Sequence, residues 1–336
     1  AQEGLRAKAD LRPEDISLYI GIPFCPTRCA YCSFVSQSVE RSFSLVEPYV
    51  KALIAEIRSG GDMVRSNRLR PRAFYMGGGT PTTLSARQMD RLLTHLNRSF
   101  DLSDCAEYCI EAGRPDTITA EKLHVLRAHR VDRISVNPQT LDDRVLETIG
   151  RRHTAQDIRD ALRLVRETGG FAVNMDLIAG LPGDTPDGFR ATLEQVLALA
   201  PENVTVHTLS RKRGASLSEQ TAPIPDGAQV GEMLDFAAEA LPAAGYAPYY
   251  LYRQKFMSGG FENVGWTRPG QENLYNICIM EELCSILAMG GGASTKLVRP
   301  GGGKLERHID PKYPTEYIAN IDRICAAKAE LEAFFQ

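Results

Sequence analysis

The sequence predicts an α/β fold whose main part is a partial barrel of six strand–helix units, open on one side. Short β-rich apolar runs alternate with amphipathic stretches as far as Arg213, a pattern typical of parallel sheets built from βα units. Beyond this point the alternation decays into a turn-rich connector, SLSEQTAPIPDG. We therefore expect the barrel in residues 1–215 and a smaller C-terminal α+β domain in residues 216–336, which covers the barrel.

Each unit is located by its hydrophobic pattern. Apolar residues three and four apart predict helices, and short apolar runs rich in β-branched residues predict strands. The six barrel strands are predicted at 16–21, 73–76, 107–111, 133–136, 172–178 and 203–209. The helices are predicted at 45–64, 86–97, 120–129, 142–149, 155–167 and 186–199. In the C-terminal domain we expect a helix at 229–244, a strand at 246–252 and a helix at 315–334.

The composition is that of an ordinary soluble enzyme. Of the 336 residues 43% are hydrophobic, and the net charge is −3, which argues against a nucleic-acid binder or a membrane protein. The polar start AQEGLRAKADLRPED has no secretory apolar region, and eight cysteines without a regular framework favour the reducing cytoplasm. The absence of a leading Met is typical of a fragment that lacks an N-terminal domain.

Three cysteines lie in the run IPFCPTRCAYCSF, directly after the first predicted strand: Cys25, Cys29 and Cys32. Their spacing provides three ligands on one tight loop, whereas a cubane iron–sulfur cluster normally takes four cysteines. Three ligands leave one iron open to bind a reactant. A zinc site would need a fourth Cys or His nearby, and a disulfide would leave one thiol over. We favour the cluster, with zinc or redox thiols as the alternatives.

Polar and glycine-rich segments follow the other strands, where parallel α/β folds collect their functional residues. Gly77–Gly78–Gly79–Thr80–Pro81 follows the second strand, and consecutive glycines allow a ligand to approach the backbone closely, although a glycine triplet alone is more often a flexible turn. Single polar residues then occur at or beyond the later strands: Glu111, Gln139, Arg151 and Asp176. Asp176 lies inside an apolar run, so it is either a structural hydrogen-bond hub or a ligand contact.

Together these motifs resemble the radical S-adenosylmethionine (SAM) superfamily, and within it the oxygen-independent coproporphyrinogen III dehydrogenase (HemN-like) family. The similar motifs run from Tyr19 to Cys32, in GGGTP, in CIEAGRPD and in DLIAGLP, and continue in GWTRPGQENLYN and LAMGGGASTK. Two departures, Gly21 for a usual His and YNICIM for the HN-x-x-YW segment, look like the HemZ-type branch. The resemblance covers most of the chain.

The resemblance implies cofactors and a site. A [4Fe–4S] cluster would be held by the three cysteines, with one SAM, or a second as well, beside it. Tyr19 and the cysteines would carry the radical chemistry. The residues expected to line the SAM site are Tyr19, Tyr31, Gly78, Gly79, Thr80, Glu111, Gln139, Arg151 and Asp176.

The substrate implied by the resemblance is a tetrapyrrole, most simply coproporphyrinogen III, whose propionates would be oxidatively decarboxylated to vinyl groups. Arg211, Lys212 and Arg213 follow the sixth strand and suit propionate binding, although basic runs are common on solvated loops. The alternatives are a radical methyltransferase or heme ring-opening enzyme, and a non-enzymatic heme chaperone. We also expect a monomer that accepts electrons from a flavodoxin or ferredoxin.

Overall fold

The computed structural model describes residues 2–32, 37–210, 222–253, 258–299 and 305–335. Its strands are β1 (Asp15–Ile22), β2 (Phe24–Cys25), β3 (Gln37–Ser38), β4 (Arg70–Gly78), β5 (Glu107–Glu111), β6 (Arg133–Ser135), β7 (Ala172–Ala179), β8 (Asn203–Thr208), β9 (Ala247–Tyr252), β10 (Asn263–Thr267), β11 (Ser285–Gly290), β12 (Ser294–Leu297) and β13 (Glu306–Ile309). Its helices are α1 (Gln2–Asp10), α2 (Val39–Ser66), α3 (Ala86–Ser99), α4 (Ala120–Ala128), α5 (Asp143–Thr148), α6 (Ala155–Thr168), α7 (Pro186–Ala198), α8 (Gly227–Ala243), α9 (Leu274–Glu281), α10 (Pro314–Ala319), α11 (Ile321–Glu330) and α12 (Glu332–Phe335).

The central part of the sheet is the predicted set of six parallel strands. They lie in the order β1-β4-β5-β6-β7-β8, so each strand pairs with the next one along the barrel. Helices α2 to α7 connect them. Within the described residues the edge strands, β13 and β9, do not pair with each other, so the sheet is an open, partial barrel. The predicted fold class is confirmed.

The C-terminal part of the chain extends this sheet at both edges. Strand β11 pairs parallel with β1 and is followed by antiparallel β12 and β13. At the other edge β10 pairs antiparallel with β8 and carries β9. Strand β1 therefore lies inside the sheet, and its Leu18, Ile20 and Ile22 side chains are fully buried. The division at residue 215 stays a prediction.

Local sequence explains where most helices begin. Ser85 and Gln88 form a capping box at the start of α3, and Thr154 and Asp157 form another at the start of α6. Helix α2 begins earlier than predicted and bends at Ser42, whose hydroxyl donates to the Ser38 carbonyl at 2.7 Å. These ends differ from the predicted ones by a few residues.

The predicted helix over 315–334 is wrong as a single element, because the chain forms α10, α11 and α12 there. Asn320 lies between the first two with a non-helical conformation. Its side-chain amide donates to the Glu316 carbonyl at 2.7 Å, beside the Asn320 backbone amide at 3.1 Å, and so caps the end of α10. Among the described residues no helix is both long and apolar enough to cross a bilayer.

Candidate cofactor site

The site lies at the carboxyl ends of the parallel strands, where the cysteine loop meets the glycine turn after β4. The Gly79 amide donates to the Ile22 carbonyl and the Thr80 amide to the Phe24 carbonyl, both at 2.7 Å. On its other side the loop is held by the Ala30 amide, which donates to the Ile149 carbonyl at 3.0 Å. The cysteines are therefore displayed on a loop fixed at both ends by backbone hydrogen bonds.

The three cysteine side chains differ in their surroundings. Cys29 is buried, while Cys25 and Cys32 are half-buried. The Thr80 hydroxyl donates to the Cys25 sulfur at 3.5 Å. In the part of the chain that the structure describes, no three His, Cys, Asp or Glu side chains already surround a point as metal ligands do. Ligation of a cluster by these thiols is therefore a proposal based on their shared loop and thiol chemistry.

Glycine is required in the turn because the two backbones approach so closely. A Cβ on Gly79 would lie 2.6 Å from the Phe24 carbonyl oxygen. Gly78 has a φ of +104°, a conformation that residues with side chains rarely adopt. A Cβ on Gly77 would lie 2.8 Å from the Glu111 carboxylate, so this carboxylate already occupies the place that a side chain would need. The turn thus lies in direct contact with a half-buried acid.

Three tyrosines stack beside that acid. The Tyr75 ring lies 4.8 Å from the Tyr275 ring and 6.3 Å from the Tyr19 ring, with interplanar angles of 18° and 10°. The Tyr75 hydroxyl donates a short hydrogen bond to the Glu111 carboxylate. Burial, and secondarily the Glu111 charge, raises the pKa of Tyr19 well above its usual range. The phenols therefore stay protonated as hydrogen-bond donors.

The two half-buried carboxylates of the site differ in their ionisation. Burial raises the pKa of Glu111 to about 7, against the opposing effect of the Tyr75 hydrogen bond. Burial also opposes ionisation of Asp176, but the neighbouring His207 imidazole and the hydrogen bond from Asn174 outweigh it and hold the pKa of Asp176 below its usual range. Asp176 is thus the fixed negative charge, and Glu111 is the carboxylate whose charge can change near neutrality.

His207 connects Asp176 to the edge of the sheet. Its Nε2 lies 3.7 Å from an Asp176 carboxylate oxygen and its Nδ1 lies 3.3 Å from the Tyr252 hydroxyl. Asn174 donates to Asp176 at 2.7 Å. The Asp176 carboxylate therefore has neighbours on β7 and β8, which favours the hydrogen-bond hub that the sequence suggested as one reading.

Gln139 and Arg151 lie on the chain beyond β6, the fourth barrel strand. Gln139 has a φ of +66° and continues the pairing with β7, since its amide donates to the Asp176 carbonyl at 2.9 Å. The buried Arg151 guanidinium donates to the Asn137 carbonyl at 2.7 Å and to the Tyr31 hydroxyl at 3.0 Å. Arg151 thereby links the cysteine loop to the end of the fourth barrel strand.

Two buried hydrogen-bonding groups at and beyond the end of β6 are unpaired among the described residues. The Arg151 Nε and the Ser135 hydroxyl are buried and have no hydrogen-bond partner in the described structure. Buried polar atoms normally have partners. They fit a polar ligand that carries its own hydrogen-bonding groups, such as a nucleoside with an amino-acid group.

The structure brings most of the sequence-predicted residues to one edge of the sheet. Gly78, Gly79, Thr80, Glu111 and Gln139 lie at or just beyond the carboxyl ends of their strands. Tyr19 and Asp176 lie inside β1 and β7, and Tyr31 and Arg151 lie in the segments that follow β1 and β6. The predicted substrate residues, Arg211, Lys212 and Arg213, lie outside the described residues.

Sequence reasoning missed several side chains that hold the site together. The buried Arg114 guanidinium donates to the Thr27 hydroxyl at 2.8 Å and so braces the cysteine loop, while it pairs with Asp116 at 2.9 Å. Tyr75 and His207 were also missed, although each lies on a barrel strand near its carboxyl end. Their positions near strand ends were the feature of the sequence that could have identified them as site residues.

Comparison with known proteins identifies the family. The model of the radical SAM superfamily matches residues 19–196, which include the second half of β1, the cysteine loop and the next four barrel strands. The chain belongs to the radical SAM superfamily. Its cofactors are accordingly a [4Fe–4S] cluster and SAM, as the cysteine spacing and the resemblance predicted.

Two of the relatives have names that refer to coproporphyrinogen or to heme. The chain is 40% identical over 327 residues to the oxygen-independent coproporphyrinogen-III oxidase-like protein HemZ of Bacillus subtilis, which covers 96% of this chain and 65% of that protein. It is 28% identical over 310 residues to the heme chaperone HemW of Haemophilus influenzae, covering 90% of this chain and 76% of that protein.

A solved structure has the same fold over the whole chain. The coproporphyrinogen III oxidase HemN of Escherichia coli matches with a TM-score of 0.74 and 24% identity, covering 100% of this chain and 79% of that one. The chain thus spans 65% of the length of the HemZ protein and 79% of the HemN structure.

Proposed function

We propose that this chain is the catalytic part of a radical SAM enzyme that oxidatively decarboxylates propionate side chains of coproporphyrinogen III to vinyl groups, giving protoporphyrinogen IX. One observation carries the substrate class: the 40% identity to a coproporphyrinogen oxidase-like protein extends over 96% of the chain, well beyond the cofactor motifs. The HemN-like fold supports the same class.

The described residues suit the cofactors that this reaction needs. When bound, the cluster and SAM supply a radical that removes a hydrogen atom from an unactivated carbon. The chain would hold the cluster through Cys25, Cys29 and Cys32 and orient SAM at the glycine turn, beside the Glu111 carboxylate. The stacked tyrosines pack against one another next to this carboxylate, and the Tyr75 hydroxyl donates a hydrogen bond to it.

An anaerobic assay tests the proposal. The reconstituted protein, given reductant, SAM and coproporphyrinogen III, is expected to form 5′-deoxyadenosine together with vinyl-containing product, both detected by mass spectrometry. The Cys29→Ala variant is expected to lose iron-linked absorbance and both products. Deoxyadenosine without a vinyl product would refute the substrate while preserving the radical class, and a Cys29→Ala protein that retained its cluster would refute the ligand role.

Heme carriage is the second candidate, because several relatives are named heme chaperones. Under this alternative the protein would bind heme stoichiometrically and would not turn over SAM. A spectroscopic heme titration of the same reconstituted preparation distinguishes the two. Tight binding at one heme per chain, with no deoxyadenosine formed from any porphyrinogen, would favour the chaperone.

A further inference from the structure

A buried polar network joins the C-terminal helices to α2 and β1. We call it the Glu56 network, and its side chains are Tyr49, Glu56, Asp310, Tyr317 and Lys328. Each of these residues is at most 8% exposed. The Lys328 ammonium lies 3.1 Å from carboxylate oxygens of both Glu56 and Asp310. The Tyr317 hydroxyl donates to Glu56.

Such a network is retained only where its charges are paired, since an unpaired buried charge is strongly destabilising. Lys328 meets this condition: besides the two carboxylates it donates to the Ala288 carbonyl of β11 at 2.7 Å. Lys328 belongs to α11 and Glu56 to α2, so the ion pair fixes a C-terminal helix to a helix of the barrel. The network therefore spans both parts of the predicted domain division.

The network also reaches the end of β1. The Tyr49 hydroxyl donates to the Gly21 carbonyl at 2.6 Å and accepts from the Gly291 amide at 2.7 Å. Glu56 accepts from the Gly290 amide at 2.8 Å. A Cβ on Gly290 would lie 2.4 Å from the Gly21 oxygen, so these two backbones are in direct contact. These hydrogen bonds thus fix the pairing of β1 with β11 near the end of β1.

That point is the entrance to the cysteine loop. Gly21 lies four residues before Cys25 in the sequence. Between them, the fully buried Phe24 ring packs edge-on against the Tyr49 ring, at 5.2 Å and 88°. The Phe24 carbonyl in turn accepts from Thr80 of the glycine turn at 2.7 Å. Tyr49 therefore holds the segment before Cys25 through both its hydroxyl and its ring.

We propose that Tyr49 is a positioning residue for the cluster, because its hydroxyl fixes the path of the chain from Gly21 to Phe24. This fixed path sets where the thiols of the cysteine loop meet the cluster. The inference rests on the proposed ligation by these cysteines and is independent of the substrate. Through the Gly291 amide, which donates to the Tyr49 hydroxyl, it gives the turn after β11 a part in cofactor retention.

The test compares Tyr49→Phe with the matched control Tyr317→Phe. Each variant removes one fully buried hydroxyl from the network, but only the Tyr49 hydroxyl contacts Gly21 and Gly291. In Tyr49→Phe we expect amide exchange in residues 19–25 and chelator-driven loss of cluster absorbance each to rise about fivefold, as for one lost hydrogen bond. In Tyr317→Phe we expect a similar fall in Tm with neither effect.

Two results would overturn the proposal. One is unchanged exchange and cluster loss in Tyr49→Phe, and the other is an equal rise in both variants, which would mean general destabilisation. Exchange is measured on the full chain with and without its cluster. If the wild-type chain binds no cluster, the cysteine ligation is wrong, and the exchange difference between the two variants still decides whether Tyr49 positions the loop.

Discussion

At the scale of single residues, the two site carboxylates are expected to respond differently to pH. Burial raises the pKa of Glu111 to about 7, so its ionised fraction rises about tenfold between about pH 6 and about pH 8. SAM carries cationic groups and favours the ionised form. The SAM affinity of the wild type, relative to Glu111→Gln, should therefore rise by up to about tenfold over this interval. Anaerobic calorimetric titration measures it.

Asp176→Asn is the matched control for this prediction. The pKa of Asp176 is already below its usual range, because the neighbouring His207 imidazole and the hydrogen bond from Asn174 outweigh its burial. Its removal should therefore weaken SAM binding at every pH and keep a pH dependence, with the Glu111 step moved to lower pH because the Asp176 charge helps to raise the pKa of Glu111. A Glu111→Gln protein with the wild-type slope would show that another group titrates.

The functional role of a single residue could be predicted from sequence where an unusual side chain coincided with a position on or after a predicted strand. The three cysteines and Asp176 stand out because thiols on one loop and a carboxylate in an apolar run are unusual in an ordinary core. Tyr75 and Tyr49 did not stand out, because a tyrosine in an apolar stretch reads as core packing. Their hydroxyl partners, Glu111 and Gly21, are distant in sequence, so only the folded chain reveals them.

At the scale of elements, α9 presents Tyr275 to the tyrosine stack, and its start is held by several acceptors. Asn273 accepts from the Asn276 amide at 2.7 Å, and the buried Glu107 accepts from the Leu274 amide at 3.0 Å. Asn273→Ala should lower stability by about 1 kcal/mol. It should also weaken SAM binding, because the first turn that carries Tyr275 loses a cap.

Asp226→Ala is the control for that cap, since Asp226 caps α8 in the same way, accepting from the Gln229 amide at 2.9 Å. Both variants should lose about 1.5 °C of Tm. Only Asn273→Ala should lose SAM affinity, measured by the same titration. Equal affinities in the two variants would mean that α9 does not influence the site.

The six barrel units could be predicted because each strand and helix has its own hydrophobic period. In the C-terminal region α8 and β9 were also predicted, within a few residues of their ends, but β12, β13 and α9 were not. Strands β12 and β13 are short, and their places are set by the pairing of β12 with β11 and of β13 with β12, and not by an alternating pattern of their own. Helix α9 has apolar residues all round, so periodicity gave no signal.

At the scale of the whole molecule, the continuous sheet predicts that residues 1–215 do not fold as an independent unit. Without β11, strand β1 becomes an edge, and the fully buried Leu18 and Ile20 lose part of their cover. Glu56 would lose its partners Lys328 and Tyr317, and α2 would lose the C-terminal helices that cover it. A chain cut after residue 215 should therefore aggregate through its exposed edge and show no cooperative thermal transition.

Size-exclusion chromatography and thermal unfolding, with the full chain as control, measure both properties. A monodisperse fragment that unfolds cooperatively near the Tm of the full chain would mean that the barrel is autonomous and that the C-terminal strands only cover it.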